Sequence, residues 1–324
     1  MLQIFSNKVL LRKLCRYAIS LLAIIILVFA IPRGMGGDPV LAFVGEDMEV
    51  TPEYIEYMSA RLDLDKPIHE QFLIYIRGIA NGDLGYSYHR ANTVTNLILE
   101  RLPWTVSLAL VSMFIGYTSS IIFGAYVGWR SEKHRSKILT TICLIISCFP
   151  SFILGLIFYS LFIYHLGWFP LKGYYSVSAT DVIDVMWHMA LPVLILSLLI
   201  FTSNLLLMRG SILTEKNQLY PLFAASLGTP DRKILFGHVM KNAILPILTH
   251  ITMAFGGILS GALIIEIIFT LNGMGMLMYK ALQDLDYPIL CGLLFVLGVM
   301  TVLANIAADI LYGIVDKRVW SEDV

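Results

Sequence analysis

The chain has 324 residues, of which 57% are hydrophobic and only 14% charged, with a mean hydropathy of +0.76 and no formal net charge. Soluble domains carry about 25% charged residues, so this composition excludes a water-soluble globular protein. Zero net charge also excludes a bulk basic field for nucleic acid. Four cysteines (Cys15, Cys143, Cys148, Cys291) fall in or beside apolar runs at no metal-site spacing and are expected to be small buried apolar residues.

The N-terminus opens with Lys8, Arg12, Lys13 and Arg16, followed by an apolar run over 17–31. A secretory signal would end in a small-x-small cleavage site. Here Ile31-Pro32-Arg33 runs into Gly34-Met35-Gly36-Gly37, which reads as a retained first helix. A bilayer core needs roughly 20 apolar residues in a helix. Six stretches meet or approach that length: 14–31, 104–128, 138–164, 187–208, 244–270 and 288–315, the last containing Asn305 and Asp309. Backbone polar groups must be satisfied within the bilayer, so these are expected to be helices, and the alternation of a barrel strand is absent.

Between the first two stretches lies a polar segment, 34–100, with eleven acidic and four basic residues. Thr51-Pro52-Glu53 followed by Tyr54, Ile55, Met58 and Leu62 predicts a short capped helix, and a second is expected over 67–79. The N-terminus, the loops 130–137 and 209–241, and the tail hold fifteen of the 23 basic residues, all on one side if six spans are threaded. The positive-inside rule makes that side cytoplasmic. Both termini then lie in the cytoplasm, and the acidic segment lies outside with the loops 164–186 and 271–287.

The long basic loop reads Leu219-Tyr220-Pro221-Leu222-Phe223-Ala224-Ala225-Ser226-Leu227-Gly228, then Thr229-Pro230-Asp231. A short helix is expected to end at Gly228, which tolerates the left-handed cap, with proline early in the next helix. Such a hairpin is a docking element by shape. It can equally be an amphipathic hairpin lying on lipid, and residue physics leaves the two open.

This loop resembles the coupling loop of ABC-importer permeases, in which alanines, a glycine and a Leu-Pro pair stand at fixed spacing. Ala224, Gly228 and Leu245-Pro246 keep that spacing. Gly261-Ala262-Leu263-Ile264-Ile265-Glu266, Asn272-Gly273-Met274-Gly275, Asp286-Tyr287-Pro288, Asp309-Ile310-Leu311-Tyr312 and Gly82-Asp83-Leu84-Gly85-Tyr86-Ser87 follow the same family's order. Together, from Gly37-Asp38-Pro39 to Arg318, they resemble the first permease subunit of dipeptide, oligopeptide and nickel importers. Leu219, Leu222 and Ala225 stand where that family usually has charged residues, and the glutamate of the wider motif is absent.

The resemblance implies an all-α integral membrane protein of about six transmembrane helices, with an external subdomain between helices 1 and 2 and a cytoplasmic coupling loop between helices 4 and 5. Its implied divisions are 1–33 (cytoplasmic N-terminus and first helix), 34–102 (extracytoplasmic subdomain), 103–318 (permease core, coupling loop 209–243) and 319–324 (cytoplasmic tail). It implies half of a pore in a prokaryotic cytoplasmic membrane, shared with a second homologous permease, two cytoplasmic ATPases and an extracytoplasmic substrate-binding protein. Tyr220, Phe223, Ala224, Ala225, Ser226, Leu227, Gly228 and Thr229 would meet the ATPases. Glu266, Asn272, Gly273 and Gly275 are candidates for the translocation pathway or gate. Asp83, Gly85 and Ser87 are candidates for docking the binding protein. Peptides are the implied cargo, with nickel or a metal chelate as the alternative.

The residues themselves also weigh on other chemistries. No phosphate-cradling Gly-x-x-x-x-Gly-Lys-Ser/Thr loop is present, so ATP and Mg belong to partner subunits, and this chain is expected to bind no cofactor. No nucleophile elbow is present, so no catalytic residue is assigned. His165, His188, His238 and His250 form no pair at ligand spacing, so no metal site is assigned. Glu266 and Asp309 are few intramembrane charges for an ion-driven transporter, and 34–100 lacks a metal or nucleophile constellation for a membrane-embedded enzyme, so these two classes stand as the less favoured alternatives. Gly257 and Gly261 have close-packing spacing. Trp104, Trp129, Trp168 and Trp187 sit near span ends as an interfacial belt.

Overall fold

The structure, a computed structural model, describes residues 7–34, 51–61, 65–87, 89–176 and 181–315. Expectations for 35–50 and for the tail from 316 lie outside the described residues, as do those resting on the side chains of Gly257 and Gly261. The helices are α1 (Asn7–Gly34), α2 (Pro52–Arg61), α3 (Ile68–Ala80), α4 (Val94–Trp129), α5 (His134–Ser147), α6 (Ser151–Phe158), α7 (Val182–Lys216), α8 (Leu219–Ser226), α9 (Asp231–Ile234), α10 (Met240–Ala243), α11 (Leu245–Ile268), α12 (Met274–Gln283) and α13 (Tyr287–Val315). Two π-helical stretches, Tyr159–His165 and Leu235–Val239, continue α6 and α9. A two-residue hairpin pairs β1 (Tyr86–Ser87) with β2 (Asn92–Thr93).

Three helices are long and apolar enough to cross a bilayer alone: α4, α7 and α13 over Tyr287–Ala307. Two bent helix pairs are also long and apolar enough if each is taken as one span, and α1 carries a shorter apolar stretch, Cys15–Ala30. The expectation of one helix over 138–164 is corrected. The segment breaks between Ser147 and Ser151 and turns by 102°. Proline is the cause: Pro150 removes an amide donor and pushes Phe149 out of the helical region. The fifth stretch likewise has a bent lead-in, with 231–243 meeting α11 at 46°. The loop expected over 271–287 holds α12, whose Met274, Gly275, Met276, Leu277 and Ala281 are buried. The cysteine expectation is also corrected, since only Cys143 is buried and Cys15 and Cys148 are exposed on the isolated chain.

The chain divides into two compact units, one formed by residues up to 105 with 272–306, the other by 106–271 with 307–315. In the first unit, α1 and α13 run antiparallel. Cys291 donates to the Val28 carbonyl, Gly298 lies against Ile24, and Tyr17 donates to the Asn305 carbonyl. Tyr17 of α1 and Asn305 of α13 are thus at the same end of that unit. At the other end, Phe29 packs its ring on Phe72 and Tyr75 of α3, at 5.0 and 5.6 Å between centroids.

In the second unit, α4 and α7 run parallel in contact. Ser197 donates to the Ser112 carbonyl, and Gly116, Gly124 and Gly128 face Ile200, Met208 and Ile212 at constant offset. A Cβ on any of these three glycines would come within 2.7 Å of the facing Cβ. Small residues four apart therefore bring the two backbones together, as membrane helices do in the absence of a hydrophobic driving force. Two parallel helices require the chain between them to return, which is the work of α5 and α6. Next, α11 runs antiparallel to α7: Ile247 joins the Met208–Ile212 cluster, and Glu266 lies at the opposite end with Tyr174.

Adding one methyl at Gly124 must push Met208 and the Leu205 carbonyl aside, an overpacking cost of about 1–3 kcal/mol. Gly124→Ala should lower the thermal midpoint of the detergent-solubilised protein. Gly210→Ala, where a Cβ meets nothing within 4 Å, should leave the midpoint unchanged or raise it, because alanine favours the helix by roughly 0.5–1 kcal/mol.

Candidate functional site

The segment 209–243 builds the most distinctive surface of the second unit. Helix α8 hangs from α7 by only Asn217 and Gln218. Gly228, at φ +77°, ends it: the Gly228 amide donates to the Ala225 carbonyl and the Thr229 amide to the Ala224 carbonyl. That pair of bonds is the Schellman arrangement, which only a residue at home in the left-handed region closes without strain. Pro230 then caps α9, with the Lys233 and Ile234 amides bonded to its carbonyl.

The two faces of this segment differ. Pro221 is buried, and Ala224 packs against a cluster of Met113, Tyr117, Ala125, Met208, Ile212, Ile234, Leu235, Val239, Ala243 and Ile247. On the other face Leu219 is 83% exposed, Phe223 65% and Leu227 69%. Full burial of each such side chain is worth about 1.5–3 kcal/mol, so this face needs a covering. Ala225, Ser226 and Gly228 are exposed with it, and Thr229 is half-buried. Beside it lies an open cleft lined by Pro230, Arg232, Lys233 and Phe236. Tyr220 is turned back to Glu215, its hydroxyl donating to Oε2 at 2.6 Å.

The gate candidates fall in two places. Glu266 is wholly buried in the second unit and accepts from the Tyr174 hydroxyl at 3.2 Å, while its backbone carbonyl receives the Leu271 amide. In the first unit, Asn272 is exposed, and Gly273 and Gly275 are buried at the start of α12. The intervening Met274 amide donates to Thr105 at 2.9 Å.

The external candidates form one turn of the first unit. Asp83 accepts from the Gly85 amide at 2.9 Å, with Gly82 and Gly85 at φ +76° and +99°. Ser87 is fully buried and donates to Asp286, whose other oxygen accepts from the Ile289 amide at the start of α13. Two residues away, Arg90 pairs with Asp284 at 2.8 Å. The hydroxyl of Ser87 thus faces inward, while Asp83 and Gly82 face outward. Asp286, Tyr174, Glu215 and Asn242 were not singled out from sequence as site residues. Of these, only Asp286-Tyr287-Pro288 carried a local signal, an acid beside a proline-started helix. Among the described residues, no three His, Cys, Asp or Glu side chains come together as a metal site would require.

Comparison with known proteins identifies the arrangement. The family described as "Binding-protein-dependent transport system inner membrane component" matches residues 120–321, and its N-terminal companion matches residues 6–109. The oligopeptide transport system permease protein AppB of Bacillus subtilis is 31% identical over 301 residues, covering 92% of this chain and 95% of its own. The peptidoglycan transport system permease protein YejB of Agrobacterium fabrum is 32% identical over 277 residues, covering 83% and 76%. The oligopeptide permease OppB of Haemophilus influenzae is 27% identical over 269 residues, covering 83% and 86%. The chain belongs to the binding-protein-dependent inner membrane component family and is a permease subunit of an ABC transporter.

Proposed function

We propose that this chain forms one half of the translocation pore of an ATP-driven peptide importer. The observation that carries the cargo is the name of relatives aligned over nearly the whole chain, which are oligopeptide permeases. None of the relatives cited is a nickel permease, so peptide is favoured over nickel. The second half-pore is a homologous permease, ATP and Mg are held by two cytoplasmic ATPases, and an external binding protein delivers the peptide.

On this reading the chain crosses the membrane six times, with both termini in the cytoplasm. The antiparallel run of α1 against α13 supports termini on one side. The return required between parallel α4 and α7 supports counting the bent α5–α6 segment as a crossing. The outer face of α8, with Phe223, Leu227 and Ala225 to Thr229, seats in a groove of an ATPase. Tyr220 sits at its root. When the ATPases close, α8 is displaced, and its inner face carries α4, α7 and α11 with it through their shared cluster. ATP shifts the pore between inward- and outward-open states only to the extent that it favours one of them, and this contact delivers that preference. At the outer side, Asp83 and Gly85 offer a turn to the binding protein. Asn272, Gly273 and Gly275 in the first unit and, separately, the buried Glu266 in the second are the candidates for the pathway or its gate.

Deleting the gene in its host should abolish uptake of labelled di- or oligopeptide and leave nickel uptake unchanged. Loss of nickel uptake with peptide uptake intact overturns the cargo. Restoring the gene as Gly228→Pro should not restore uptake, because proline fixes φ near −65° where the chain needs +77°. Gly228→Ala, which meets no neighbour and costs about 1 kcal/mol, should restore most of it.

A further inference from the structure

A helix of eight residues hung on two short links cannot pass on a sideways push unless something stops it from swivelling. The link to α7 is two residues long, and the link to α9 runs through a glycine in the left-handed region. One carboxylate bridges the first link. Glu215, in the last turn of α7, accepts the Tyr220 hydroxyl of α8 at 2.6 Å. The Asn242 amide of α10, which leads into α11, reaches the Tyr220 oxygen at 3.2 Å and the same Glu215 oxygen at 3.4 Å. One residue on, Lys216 donates to the Trp129 carbonyl at the end of α4 at 3.0 Å, its ammonium 5.1 Å from the indole centroid. The roots of α4, α7, α8 and α11 therefore meet at two adjacent side chains.

We propose that Glu215 is the positioning residue that locks the docking helix to α7 and α11, so that a displacement of α8 is delivered to both. The bond spans the two-residue link to α7, about which α8 would otherwise pivot. Burial and the bond to Glu215 both raise the Tyr220 pKa above its ordinary value, so the hydroxyl remains a donor at neutral pH. The lock rests on the reading of α8 as the ATPase-docking helix for its purpose, but its mechanics can be tested apart from that reading.

The test uses the assembled importer in nanodiscs, its native cysteines replaced by serine, with spin labels at Leu222→Cys on α8 and Met253→Cys on α11, both exposed. With Glu215 present, the distance between labels is a single narrow distribution that ATP does not change. Glu215→Ala should at least double its width. Glu215→Gln, whose amide oxygen still accepts from Tyr220, should restore the narrow distribution. Tyr220→Phe should broaden it as Glu215→Ala does. An unchanged width in Glu215→Ala overturns the proposal, as does a Glu215→Gln distribution as broad as that of Glu215→Ala. Retention of the ATPases by the same tagged preparations is read separately. Preparations that keep the narrow distribution but never retain ATPases would sink the docking reading and leave the lock standing.

Discussion

The second unit depends on α4 and α7 touching backbone to backbone. Lipid chains are as apolar as leucine, so nothing resembling the hydrophobic effect pulls two membrane helices together. Close approach has to supply the attraction, and here it is supplied by removing side chains. Gly116, Gly124 and Gly128 leave a strip into which Ile200, Met208 and Ile212 fit, with Ser112 and Ser197 bonded across its far end. Because the strip is parallel and in register, the C-terminal ends of the two helices finish together, where Lys216 closes on Trp129. The segment that carries α8 is built on that shared end.

The segment also divides its chemistry cleanly. Pro221 is buried and Ala224 packs on a cluster that α4, α7 and α11 share, while Leu219, Phe223 and Leu227 are largely exposed among the described residues. A surface that is half core and half uncovered suits an element that takes a push from one body and hands it to another. The first unit shows the same economy at the turn that leads into its hairpin. Asp286 there both starts α13 and holds Ser87, and the neighbouring Arg90–Asp284 pair ties the hairpin side to the end of α12.

Much of this was legible in sequence because apolar length and glycine position are local signals. The apolar stretches of α4, α7, α11 and α13, the two short helices before α4, and a helix ended by Gly228 all follow from runs and caps that need no tertiary knowledge. The break at Pro150 was written in the sequence too, but long apolar runs on both sides of it masked a 102° turn as a single span. Helix α12 was hidden because its ten residues are too short for a span and lie in a segment read as a loop between two longer apolar runs. The lock at Glu215 was not legible at all: Asn242 is 27 residues away in the chain, and a lone glutamate in a basic loop reads as a solvated charge. Burial of Ser87 was equally invisible, since its partner lies 199 residues downstream.

The central claim is that the uncovered face of α8 is covered by an ATPase and not by lipid. Photo-crosslinking in native membranes tests it directly, with a benzophenone amino acid at Phe223 or Leu227 and, for comparison, at Met253 on α11. The account predicts ATP-sensitive crosslinks from 223 and 227 to the ATPase subunit and none from 253. Crosslinks from 223 and 227 to lipid alone would contradict it, leaving α8 as an amphipathic helix resting on the membrane surface.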